Sequence, residues 1–289
     1  MPASSKSRFQ ENKVAVSEWK WTSRDGLEMY ARGWIPEEQP KAVVCLVHGL
    51  GEHVNRYNHV GAAFAGAGYA LRGFDLRGHG QSGGPRGYTP SYQNLLDDIS
   101  DFLVDAKKHY PSLPVFLYGY SMGGNQVINY ALRYPDGLRG VIATSPWLKL
   151  VSQPGAILSL LLKIINAIFP SYTQANGLEV AAISRDAEIV SAYAVDPLVH
   201  DKLSARLFTV MDANAFGALE RAAMLKVPML LMHGSADRIS SADGSKEFAE
   251  KAGGIVTLRI WDGLYHETYN EPEKADVIRA MTDWISAHL

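Results

Sequence analysis

A serine held between glycines is the first feature of this sequence that could do chemistry. Gly119-Tyr120-Ser121-Met122-Gly123-Gly124 reads as G-x-S-x-G. It stands between Val115-Phe116-Leu117-Tyr118, which has the look of a buried strand, and Asn125 to Tyr134, which has the pattern of a helix. On a tight strand-to-helix turn the serine is forced out of the sheet, and small residues at Gly119 and Gly123 let neighbouring backbone come close. The helix that follows would turn free N–H groups and its positive dipole end toward the oxyanion formed by nucleophilic attack. A Gly-rich turn matches five characters by chance often enough that the motif alone carries little. The strand before it and the helix after it are what make Ser121 the predicted nucleophile.

A serine nucleophile at neutral pH needs a base within hydrogen-bond reach and an acid that fixes the base's tautomer. On a sheet of this kind the partners follow in the order serine, acid, histidine, each on a loop after a strand's carboxyl end. Asp237 fits the acid, in Gly234-Ser235-Ala236-Asp237-Arg238 directly after the apolar run Met229 to His233. His266 fits the base, in Gly263-Leu264-Tyr265-His266-Glu267 directly after Val256 to Trp261. Rivals rank lower on position. His233 ends a strand and reads as packing or hydrogen-bonding locally; His200, His109 and His288 lie in or near helical segments. Asp262 is too near His266 along the chain to sit on a separate loop, and Asp75 precedes the serine. An oxyanion hole takes one amide from the residue after the nucleophile and one from the loop after an early strand. Those are the Met122 amide and, in His48-Gly49-Leu50-Gly51, the Leu50 amide. His48, His53 and His79 read as loop ties. A metal reading of His48, His53 and His59 fails because no Cys or carboxylate set completes a ligand spacing.

These residues need a sheet to hold them. Val14 to Trp34 alternates about an Asp25-Gly26 turn, as a hairpin does. Ala42 to Val47 is an unbroken apolar run of the kind that parallel strands covered on both faces show. Ala62 to Ala67 reads as a short helix, Tyr69 to Asp75 as a strand, and Tyr92 to His109 as a helix with Leu95, Leu96, Ile99, Phe102, Leu103 and Ala106 at helical spacing. After the serine come a strand at Gly140 to Ser145, a strand at Val227 to His233, a helix from Ser241 to Ala252, a strand at Ile255 to Trp261 and a terminal helix from Glu273. Strands alternating with helices predict an α/β protein with a mostly parallel central sheet and helices on both faces. Gly78-His79-Gly80-Gln81-Ser82-Gly83 is a literal G-x-G-x-x-G, but Gly84-Pro85-Arg86-Gly87 follows it where a dinucleotide site needs a helix to begin, so it reads as a decoy.

Between Ser145 and Val227 lie about eighty residues without a strand pattern, too many for an ordinary connection. The predicted organisation is therefore a core over 1–148 and 223–289 with a mainly helical cap inserted at 149–222. Within the cap, Gly155 to Phe169 is the most apolar segment of the chain, its polar residues Ser159, Lys163 and Asn166 falling on one narrow face. It is short of the roughly 20 residues that span a bilayer. It reads either as a helix buried between cap and core or as a lid with an apolar outer face for lipid.

With 289 residues, 47% hydrophobic and 20% charged, the chain has the composition of a globular protein large enough for a substantial core. A formal charge of -2 offers no basic field for nucleic acid, which is excluded as a partner. The one cysteine, Cys45, lies inside an apolar run and reads as core filler. The opening MPASSKSRFQENKV has no apolar h-region, so the expected location is cytoplasmic.

Taken together, HGLGEH at 48–53, DLRGHGQS at 75–82, GYSMGG at 119–124, SRDAEIVSAYAVDPL at 184–198, GSADR at 234–238 and YHE at 265–267 resemble the monoacylglycerol lipase and lysophospholipase branch of the α/β-hydrolases. The resemblance runs from about Trp19 onward. It implies an α/β-hydrolase fold, a Ser121–His266–Asp237 triad, an oxyanion hole from the Leu50 and Met122 amides, and no cofactor or metal. It also implies a glycerol-binding region at Glu52, Arg56 and Tyr193, where Glu52 and Arg56 are expected to pair with each other and shape the pocket. Many relatives have histidine where this chain has Tyr120, which makes Tyr120 a further expected substrate contact. The resemblance turns 155–169 toward the lid reading, with peripheral membrane contact. The expected activity is hydrolysis of monoacylglycerol-like esters through an acyl-enzyme. The alternatives are a lysophospholipase or broad carboxylesterase and, more distantly, an aminopeptidase, a carbon-carbon bond hydrolase, or a catalytically silent binding protein on the same scaffold.

Overall fold

The structure is a computed structural model that describes residues 14–289; the expectation drawn from the N-terminal stretch falls on residues 1–13, outside them. Its frame is an eight-stranded sheet in the order β1-β2-β4-β3-β5-β6-β9-β10. Strands β1 (Ala15–Thr22) and β2 (Glu28–Ile35) form the expected hairpin, and β2 pairs antiparallel with β4 (Tyr69–Phe74). From β4 onward every pair is parallel: β3 (Ala42–Val47), β5 (Val115–Tyr120), β6 (Gly140–Thr144), β9 (Met229–Gly234) and β10 (Val256–Trp261).

Burial explains the unbroken apolar runs. Every residue of β3, β5 and β9 is buried, and successive side chains of β3 enter two different cores. Val43, Cys45 and Val47 face the layer built by α2 (Tyr92–His109), α3 (Met122–Arg133), α6 (Ala205–Arg221) and α7 (Ala242–Ala252). Ala42, Val44 and Leu46 face α1 (Asn58–Gly66) and α8 (Lys274–Ala287). Cys45 is buried in the first of these layers, and burial pushes its thiol up to about 12, so it is inert filler. Helix α1 begins four residues before its expected start, because a 3-10 turn at Val54–Tyr57 runs into it and Val60 and Phe64 bury. The G-x-G-x-x-G segment continues as loop to Pro90 with no helix.

The chain leaves β3 toward β4 on one side and places β5 on the other, so the loops after β3 and β5 diverge across a crevice at the carboxyl ends of two adjacent strands. Ligands bind in crevices of this kind. Over this end lies the excursion between β6 and β9. It contains α4 (Ala156–Ile168), β7 (Thr173–Ala175), α5 (Ala187–Val195), β8 (Lys202–Ser204) and α6. The antiparallel pair β7 and β8 was not expected; three residues are too few to show an alternation. Backbone bonds hold the excursion down, from the His200 amide to the Gly51 carbonyl and from the Ser204 amide to the Gly87 carbonyl, each 2.9 Å. Its last helix returns to the core, where Leu207, Met211, Ala215 and Leu219 join the first layer.

Helix α4 leaves much of its apolar surface exposed. Asn166 and Ser159 are half-buried, Asn166 accepting from Arg206 Nε of α6 at 2.5 Å, whereas Ile157 is 87% and Ile168 62% exposed. Among the described residues no helix is long and apolar enough to cross a membrane.

Candidate active site

Ser121 follows the last residue of β5 and caps α3 with φ 52° and ψ −113°, a left-handed conformation that L-residues avoid unless the surroundings impose it. Its amide donates to the Thr144 carbonyl of β6 at 3.0 Å, and its carbonyl accepts from the Asn125 and Trp147 amides. The turn closes because α3 lies against the end of β3: a Cβ on Gly123 would collide with the Val47 carbonyl oxygen.

The structure brings together the three residues named from position. His266 Nε2 lies 2.9 Å from Ser121 Oγ, and His266 Nδ1 lies 2.7 Å from Asp237 Oδ2. A carboxylate only accepts, so Nδ1 carries the proton and Nε2 offers its lone pair to the serine hydroxyl. Asp237 is fully buried. Burial by itself would raise its carboxyl. The charge that His266 carries once protonated, with the hydrogen bonds from His233 and His266, outweighs it and holds the group well below the usual carboxylate range. Its Oδ1 accepts from the Ile239 and Ser240 amides at 2.7 and 3.0 Å.

At the first residues after β3, the Gly49 amide donates to Glu52 Oε1 at 2.6 Å. The next amide, Leu50, and the Met122 amide at the start of α3 donate no hydrogen bond among the described residues, so both remain free to do so. His48 holds this loop from below: Nε2 accepts from the Leu76 amide at 2.9 Å, and Nδ1 donates to the Gly49 carbonyl at 2.8 Å. Burial lowers His48 to about 3 and keeps it neutral, as an accepting Nε2 requires. His53 is a loop tie as well, bonded to Asp196 of the excursion at 2.9 Å.

Ser121 and His266 open into a cavity of about 600 Å³. Its lining combines the apolar Trp147, Leu158, Leu162, Leu203 and Phe208 with Glu52, Tyr120, Tyr193 and Glu267, and also takes in Glu179 and Arg238. Glu52 and Arg56 do pair, and a third member completes the group. Arg56 Nη1 donates to Glu52 Oε2 at 2.5 Å and to Glu267 Oε1 at 2.6 Å, and Nη2 donates to Glu267 Oε2 at 2.8 Å. Arg56 itself does not line the cavity. It lies behind the two carboxylates with the Tyr193 ring 4.6 Å away. Burial raises the Glu52 carboxyl, Arg56 opposing and Glu267 adding to it. Every contact on Glu52 is nonetheless a donor, the Gly49 amide, the Tyr57 hydroxyl at 2.8 Å and Arg56, which is the pattern of an ionised group. Tyr120 packs its ring 5.1 Å from that of His266 and from that of Tyr269.

Three contributors escaped the sequence reading. Glu267 stands beside His266 in the quoted motif but had no role until its contact with Arg56 was visible. Ser240 Oγ sits 2.9 Å from Asp237 Oδ2. His233, expected to bond locally, has Asp237 as its local partner. His109 and His288 bond to backbone carbonyls of their own helices, Asp105 and Trp284, far from the serine in the fold. Asp75 accepts from the Val54 and Gln81 amides and braces the loop after β4.

The sequence profile of the family described as "Serine aminopeptidase, S33" matches residues 38–273. A monoacylglycerol lipase of Mycolicibacterium smegmatis is 34% identical over 94% of this chain and 98% of its own length. A Bacillus subtilis protein named phospholipase YtpA is 32% identical over 84% of this chain and 94% of its own. In three dimensions the crystal structure of a monoacylglycerol lipase from Paleococcus ferrophilus superposes with a TM-score of 0.81 at 32% identity, covering 96% of this chain and all of that one.

Proposed function

Because this chain belongs to the monoacylglycerol lipase branch of the α/β-hydrolase superfamily, we propose that it cleaves monoacylglycerols to glycerol and free fatty acid through an acyl-enzyme on Ser121. Ser121 Oγ attacks the ester carbonyl while His266 Nε2 takes its proton. The Leu50 and Met122 amides receive the oxyanion, and Asp237 steadies the imidazolium. Collapse of the tetrahedral intermediate breaks the ester C–O bond, and His266 returns the proton to the departing glycerol oxygen. Water then attacks the acyl carbonyl with His266 as base, and the fatty acid leaves with Ser121 restored.

The observation that carries the substrate class is the cavity beside Ser121, whose lining joins the apolar Leu158, Leu162 and Phe208 to the Glu52 and Glu267 carboxylates. Each of those carboxylates has about four acceptor positions, three of which are filled, so each keeps room for one hydroxyl donor. Tyr120 and Tyr193 add phenol groups to the same lining. A glycerol head suits these groups. A phosphate among them would meet the Glu52 and Glu267 carboxylates, so a lysophospholipid is the disfavoured substrate although one relative is named a phospholipase. An aminopeptidase would need a free carboxylate for the substrate ammonium, and here Arg56 spans both.

We read 149–222 as the cap. Its α6 end is rooted in the core, and α4 is a lid whose outer apolar face meets lipid. The inward turn of Ser159 and Asn166 supports this, since a surface helix otherwise shows its polar face to water.

The test is turnover of a long-chain monoacylglycerol and the matching lysophosphatidylcholine by wild type and Ser121→Ala. Preference for the monoacylglycerol, abolished in the variant, is the expected result. Equal or reversed preference would move the assignment to a lysophospholipase or general esterase, and activity surviving in the variant would remove Ser121 as nucleophile.

A further inference from the structure

His233 is the penultimate residue of β9 and is fully buried. Its Nε2 lies 3.0 Å from Asp237 Oδ2 and 3.1 Å from the Ser240 carbonyl oxygen; its Nδ1 lies 2.8 Å from Ser245 Oγ of α7. A carboxylate oxygen and a carbonyl oxygen both accept only, so Nε2 must carry the proton. Ser240 Oγ, 3.2 Å from Nε2, has acceptors in the Ser145 carbonyl at 3.0 Å and in Asp237 Oδ2 at 2.9 Å. Nδ1 is left to accept from Ser245, which fixes the ring's orientation.

Resting on the triad reading above, we propose that His233 is a positioning residue for the reaction, whose Nε2–H holds Asp237 Oδ2 in register for His266. The two backbone amides fix Oδ1 alone. The oxygen that serves His266 is the one His233 also reaches, so two imidazoles share a single carboxylate oxygen. This has two consequences. Rotation of the carboxylate, which would swap its oxygens, breaks the His233 bond. The second N–H also draws charge from Oδ2, so the carboxylate pulls less strongly on the His266 proton, and His266 can pass that proton to the leaving group.

Loss of this donor therefore changes kcat and the protonation of His266 together. In His233→Leu we expect kcat to fall roughly 10- to 100-fold, the size of effect that a small misplacement of catalytic groups produces, with KM unchanged. The acid limb of the kcat/KM profile should move to higher pH, because the undivided carboxylate charge favours imidazolium. His233→Gln presents an amide N–H at similar reach and should restore most of both. His233→Asn is one methylene too short and should behave like the leucine variant. The other titratable groups facing His266 are the Tyr120 phenol and, behind it, Glu52, Glu267 and Arg56, which no variant alters.

A purely structural role would lower thermal stability in all three variants and leave the acid limb in place; that outcome, or Gln and Asn variants equal in kcat, overturns the proposal. If the leucine variant does not fold, the Gln and Asn pair decides. Ser121→Ala is run beside them. Residual activity there overturns the triad reading, whereas inactivity there with unresponsive His233 variants overturns the role of His233 alone.

Discussion

Ser121 and Asp237 show how single residues set the chemistry here. The strained φ of Ser121 persists because the Thr144 carbonyl and the α3 helix hold it, and it aims Oγ at His266 rather than into the sheet. Asp237 is held below the usual carboxylate range, so it stays ionised well below neutral pH. The acid limb of the rate profile should then show a single protonation. Asp237→Asn would offer His266 Nδ1 an N–H in place of a lone pair or an ambiguous partner, favouring the wrong tautomer. The expected loss in kcat is on the order of 10⁴-fold with the fold retained, read by steady-state kinetics beside circular dichroism. The stability sign follows from the depressed value. The carboxylate stabilises the folded state above the unfolded value near ~3.9, and that contribution is lost as pH falls toward the folded value. Urea midpoints measured from pH 5 down to pH 2 should therefore fall less steeply in Asp237→Asn than in wild type.

At the scale of elements, the group Glu52–Arg56–Glu267 joins the loop after β3 to the loop after β10. Arg56 lies on the 3-10 turn that leads into α1, and Glu267 follows His266, so the ion pair fixes the loop that carries His266 against the loop that carries Leu50. The carboxylates are buried, and removal of one cation leaves two like charges facing each other. Arg56→Met should cost about 3–5 kcal/mol of unfolding free energy, well above a surface ion pair. Denaturant titration measures it, and a loss under 1 kcal/mol would mean that water screens the pair in solution. The pairing of Glu52 with Arg56 was expected from the family resemblance together with the cost of burying either charge alone. Glu267 was not, because it comes from a loop more than two hundred positions away.

For the molecule as a whole, the excursion between β6 and β9 carries both residues that line the cavity and an exposed apolar face. Leu158 and Leu162 of α4 reach the cavity, while Ile157, Leu161, Ile164 and Ile168 are exposed. Replacement of those four exposed residues by serine should abolish flotation with anionic or neutral vesicles and lower turnover of vesicle-borne monoacylglycerol severalfold. A short soluble ester reports whether the site beneath is intact. Unchanged flotation would show that α4 is not the contact.

The sequence alone determined the architecture and pointed to the candidate trio, the first through periodicity and the second through position. Buried parallel strands such as Ala42–Val47 and Val115–Tyr120 must be apolar on both faces, and α2 must repeat its apolar residues at helical spacing to bury one side; both patterns are local and visible. Ser121, Asp237 and His266 were legible because each sits at a strand's end, where the elbow and the order of loops single it out. What tertiary structure decided were the contacts between loops distant in sequence: Glu267 on Arg56, His233 and Ser240 on Asp237, and the inward turn of Asn166 on α4 toward Arg206. Composition and spacing state which residues are polar. Only the folded chain states which polar groups are buried together, and buried donors and acceptors must find partners wherever the fold has put them.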